Sequence, residues 1–190
     1  MPIMLTEIDS ALLMRAFPDA LHPDALQACE AVAGVLIPRR STQLIDVEVM
    51  GEIISFPDRL HFKADFRFET SPVDNPVRQM IACLETRSMD GFQRQRALHT
   101  LLSAPEVWSA PFIVTLIGDY VSEILDEFEP SLPMLETRLF ADFIADNPRY
   151  WNTIKSRMVS YWHVYYRWRW PRENYIGFRI LQAMEKGQAG

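Results

Sequence analysis

The chain has 190 residues and 22.1 kDa, of which 48% are hydrophobic and 23% charged, a balance that excludes a disordered chain and suits a single folded domain over residues 1–190. A net charge of −6 disfavours nucleic-acid binding and leaves no general cationic surface for an anionic membrane. Seven Gly against thirteen Pro point to helices with sharply defined starts rather than to a strand-and-turn fold.

The N-terminal region, 1–37, reads as two helices. Thr6 with Asp9 resembles a capping box, and Ile8, Leu12, Leu13 and Phe17 then recur at helical spacing until Pro18. Pro23 opens a second helix with Leu26, Cys29, Ala33 and Leu36 on its apolar side. The expected β-hairpin falls within residues 43–68. Ile45, Val47 and Val49 alternate with polar residues, Met50-Gly51 forms the turn, and Ile53, Ile54 and Phe56 follow. Leu60, Phe62, Phe66 and Phe68 continue the alternation as a third short strand beyond Pro57. So small a sheet must pack on helices.

Residues 76–184 read as three helix pairs. Asn75-Pro76 and Asn147-Pro148 each place an N-cap before a first-turn proline, and Pro111 begins or kinks a helix between them. The expected fold class is therefore mainly α: antiparallel helical pairs, as a short solenoid or a compact bundle, with one small hairpin.

The run Asp90-Gly-Phe-Gln-Arg94-Gln-Arg-Ala97-Leu98 resembles the second-helix signature of HEAT-type repeats, with Gln93 where that signature carries Val. Arg138 with Ala141 and Arg179 with Ala183 are looser echoes over residues 76–184. The resemblance implies a scaffold that presents a concave face to another macromolecule, not an enzyme fold.

Residues 1–17 lack the basic and apolar regions of a secretory leader, and no apolar run reaches the ~20 residues that span a bilayer. Cys29 and Cys83 sit in apolar helical patterns without metal spacing and read as buried free thiols, with a disulfide between them as the alternative; the free-thiol reading sets the expectation of a cytoplasmic location. His22, His61, His99 and His163 show no metal spacing, and neither a GxSxG elbow nor a Gly-rich phosphate loop is present. No cofactor, metal site or catalytic residue is assigned, and the enzyme question leans toward no.

Charge is unevenly spread. Seven bases and one acid, Glu173, lie between Arg149 and Arg179, whereas seven acids and no Lys or Arg lie between Arg96 and Arg138. Asp119, Glu123 and Glu127, with Asp126 beside them, suggest an acidic helix face that is either solvated or paired with Arg157 and Arg167. The basic segment interleaves with Tyr and Trp, the residue types that anchor interfaces. Ile154, Met158, Tyr161, Trp162, Tyr165 and Trp168 form one helical stripe, with Tyr166 and Trp170 off its centre. Such a segment is either a helix packed on two sides or a binding surface.

The expected function is a non-enzymatic interaction module that binds a protein partner through Arg157, Trp162, His163, Tyr166, Arg167 and Trp170. The alternative is an enzyme or small-ligand-binding protein with a pocket near Tyr161, His163, Tyr165 and Arg167. Homo-oligomerisation is left open.

Overall fold

The computed structural model describes residues 8–38, 43–64, 66, 68 and 75–187. Thr6, and with it half of the expected capping box, lies outside them. The fold is mainly helical, with a single two-stranded antiparallel sheet among the described residues. The chain forms two compact units, Met1–Ala104 and Pro105–Gly190.

In the first unit, Asp9 caps α1 (Ser10–Met14) by accepting from the Leu12 amide at 2.8 Å, and Pro18 stops the chain from continuing as a helix. Pro23 lies in the first turn of α2 (His22–Val35). The buried face of α2 is Ala25, Ala28, Cys29 and Val32; of the expected apolar positions Cys29 and Leu36 are buried, Ala33 is half-buried and Leu26 is exposed. Small residues at these positions let α2 lie close against α1, and Leu26 projects one step round the helix.

Strand β1 (Leu44–Val49) pairs with β2 (Glu52–Pro57) in the register Leu44↔Pro57 to Val49↔Glu52. The two-residue turn needs positive φ at both positions, met by Met50 at 55° and Gly51 at 79°. Val47, Val49, Ile54 and Phe56 are buried, and the Ser55 amide donates to the Arg15 carbonyl at 2.7 Å, which ties the hairpin to the end of α1.

The expected third strand does not form among the described residues. Arg87 donates to the carbonyls of Pro57 and Asp58, which leads the chain out of the ladder. Leu60 then pairs with the turn after α3 (Pro76–Glu85), its amide donating to the Arg87 carbonyl at 2.7 Å.

Asn75 caps α3 through the Arg78 amide, and Asp90 caps α4 (Gly91–Ser103) through the Phe92 amide. The two helices pack together. Arg94 is 1% exposed and donates to the carbonyls of Ser88 and Met89, so its charge is spent inside the fold, while Arg96 is exposed. The HEAT-like positions Ala97 and Leu98 are buried beside it.

The second unit is less regular than two equal helix pairs. Helix α5 (Ala110–Ile117), with Pro111 in its first turn, is buried along its whole length and ends at Gly118. Then come α6 (Ser122–Asp126), a 3-10 turn, α7 (Leu132–Leu135) and α8 (Arg138–Asp146), a stretch that Pro130 and Pro133 divide into short pieces. Next come α9 (Pro148–Tyr161) and α10 (Ile176–Lys186). Helix α9 packs on α5 and α8, and α10 on α6, α7, α8 and α9.

Asn147 precedes α9 as expected but makes no side-chain cap. Its amide instead donates to the Phe143 carbonyl and closes α8. Both cysteines are buried and unbridged, and burial pushes the Cys29 thiol up to about 12. Among the described residues, no helix is long and apolar enough to cross a membrane, and no group of His, Cys, Asp or Glu could hold a metal ion.

Candidate functional site

The aromatic–arginine segment begins as the last turns of α9. Ile154 and Met158 are buried, and Tyr161 and Trp162 are half-buried. At Trp162 the winding changes. The Arg167 amide donates to the Trp162 carbonyl five residues back at 2.8 Å, so Trp162–Tyr166 forms one π-helical turn.

The extra residue per turn shifts the phase of the helix. Inward positions then fall every fourth residue, at Met158, Trp162, Tyr166 and Trp170. The single stripe expected through Tyr165 and Trp168 is overturned: both are exposed, at 61% and 83%, while Tyr166 and Trp170 turn inward. A π turn has no sequence signature, and a constant 3.6-residue period put Tyr165 and Trp168 on one stripe with the buried Ile154 and Met158.

The inner face is a packed aromatic cluster. Tyr166 stacks on Tyr175 with ring centroids 5.6 Å apart, and Trp170 packs on both. Trp162 meets Phe178 edge-on at 5.1 Å, and its indole N–H donates to the Trp170 carbonyl at 3.0 Å. The Tyr166 hydroxyl donates to the Tyr120 carbonyl at 2.6 Å and accepts from the Ser122 amide, anchoring the π turn to the α5–α6 link. Burial, with Tyr166 and Asp126 adding to it, pushes the Tyr175 hydroxyl up. Gly177 permits this packing, because a Cβ there would lie 2.5 Å from the Met158 sulfur and 2.8 Å from the Tyr175 ring.

The outer face carries His163, Val164, Tyr165, Arg167 and Trp168, all exposed. Arg167 donates to the His163 Nε2 at 2.9 Å and lies over the Trp168 ring at 4.7 Å. Tyr165 stacks on Tyr161, which meets Tyr120 edge-on. Arg157 is exposed one turn before, its stem beside Gly118.

The six expected binding residues therefore divide. Trp162, Tyr166 and Trp170 hold the cluster together, whereas Arg157, His163 and Arg167 face outward. Trp168 and Tyr165 are exposed aromatics of this face that were not among the six expected binding residues.

The expected pairing of Arg157 and Arg167 with the acidic residues does not form. Asp119 precedes α6 instead of sharing a helix with Glu123 and Glu127, and it accepts from the Val121 amide. No described carboxylate pairs with Arg157, Arg167 or Arg172, while Arg179 pairs with Glu129. Arg172 instead lies over the Phe178 ring at 4.8 Å, and Arg169 over Trp170 at 4.4 Å. Asp126 is held above its ordinary value of 3.8 by partial burial, then by Glu123, Glu129 and Glu127, with Arg169 opposing them.

An open groove of about 670 Å³ runs between α9 and α10, with the apolar Val159, Phe178 and Leu181 and the charged Lys155, Arg172, Glu185 and Lys186 in its lining. Tyr161, His163, Tyr165 and Arg167, the residues expected for a small-ligand pocket, do not line it.

No protein-family model, curated protein or solved structure matches the chain.

Proposed function

We propose that the protein is a non-enzymatic interaction module that docks a macromolecular partner through the outer face of residues 157–168. One observation carries the reading. Trp168 is 83% exposed with the Arg167 guanidinium over its ring, and that guanidinium has no carboxylate partner among the described residues. An exposed Trp holds in reserve the stabilisation that burying its large apolar surface brings, and Trp and Arg are the side chains that contribute most when desolvated at an interface. The packed cluster beneath supplies rigidity, so little ordering entropy is lost on docking. The scaffold role implied by the HEAT-like run Asp90–Leu98 agrees with this reading, and a cytoplasmic protein partner is its simplest setting.

Affinity capture on the intact chain, followed by reconstitution with the purified partner, tests the proposal. Arg167→Ala with Trp168→Ala should weaken the complex by about ten-fold or more, the loss typical of a central Trp–Arg anchor, with an unchanged urea midpoint. Unaltered affinity in that folded variant would remove the face from the interface.

A further inference from the structure

We infer that the groove between α9 and α10 receives an acidic, amphipathic segment of the partner protein. This rests on the interaction-module reading and extends it to a second surface of the same unit. The groove is open along its length, so it cannot enclose the greater part of a small molecule's surface as a ligand pocket does. It fits an elongated chain that lays one face down.

Its lining residues Val159, Phe178 and Leu181 offer apolar contact, with Val159 40% exposed and waiting for cover. Its charged residues are mostly cationic. Arg172 has no carboxylate partner among the described residues, and Lys155 and Lys186 hold only exposed bridges, at 3.0 Å to Glu185 and 3.1 Å to Glu136. Exposed bridges contribute little and exchange readily for a better-placed carboxylate. Trp162, edge-on to Phe178, joins the groove to the segment that carries the docking face. Nucleic acid fits less well, because Phe178 is the one ring among the lining residues and the Arg172 guanidinium already lies over it, which leaves no run of free aromatic faces on which bases could stack.

The test uses the full chain and a fluorescein-labelled synthetic peptide of Leu, Phe, Asp and Glu, read by anisotropy. Expected are saturable binding that weakens with added salt, and no binding of the same peptide with Lys in place of its acids. Lys155→Glu with Lys186→Glu should weaken binding by about ten-fold, and Glu185→Gln, which removes the competing carboxylate, should tighten it about two-fold or more. Gln182→Glu, an exposed groove residue with no described ion pair, should weaken binding without disturbing either bridge.

Absence of peptide binding, indifference to these charge changes, or equal competition by single-stranded oligonucleotide would overturn the groove assignment. If the reconstituted partner depends on Trp168 but not on Lys155 and Lys186, the groove assignment falls and the docking face stands. If it depends on neither, both fall.

Discussion

Two sets of arginines, one in each unit, are used in opposite ways. In the first, Arg87 and Arg94 are buried and their guanidinium groups donate to backbone carbonyls, Arg87 to Pro57 and Asp58, Arg94 to Ser88 and Met89. In the second, Arg157, Arg167 and Arg172 are exposed and meet no described carboxylate, and two of them lie over aromatic rings. A buried guanidinium that satisfies loop carbonyls replaces secondary structure where the chain turns, so it belongs to folding. An exposed one on a ring has its donors facing water and ready for a partner, so it belongs to binding. Charge count alone would not have separated them.

The contrast breaks first at Arg94. Arg94→Met keeps the volume but orphans the carbonyls of Ser88 and Met89, at a cost of about 2–4 kcal/mol in urea unfolding, whereas Arg167→Met should stay within about 0.5 kcal/mol. Equal effects would mean that burial does not separate the two classes.

Next comes the tryptophan pair. Trp170→Ala opens the inner cluster and should cost about 2–3 kcal/mol, while Trp168→Ala should leave the midpoint nearly unchanged. A reversed order would show the π turn to be misassigned. Gly177→Ala forces a methyl against Met158 and Tyr175 and should cost about 1–3 kcal/mol by overpacking, seen as a lowered thermal midpoint.

The smallest effect is at Asp126. Its carboxyl titrates above the ordinary value in the fold, so its favourable contribution is fully present below 3.8 and is lost as pH rises through the raised value. Asp126→Asn should therefore stabilise slightly at neutral pH, within about 0.5 kcal/mol, and the gain should vanish in acid.

Local chemistry made much of the fold legible. Asn75 and Asp90 cap the helices they precede, Met50-Gly51 makes the hairpin turn, and Pro111 opens α5. What escaped was non-local or non-periodic. The third strand was lost to a side chain, Arg87, thirty residues away in sequence from the Pro57 carbonyl it binds. Within the candidate site, the composition of residues 150–178 announced something unusual, but one π turn decided which rings face water. Of the six residues singled out together, Arg157, His163 and Arg167 face water, whereas Trp162, Tyr166 and Trp170 pack inward, and the exposed Trp168 was not among them.

The most direct test is the affinity of the reconstituted complex for the chain carrying Arg167→Ala and Trp168→Ala, with unfolding measured on the same sample. A weakening of about ten-fold or more with an unchanged urea midpoint is the predicted result. Wild-type affinity in that folded chain would contradict it.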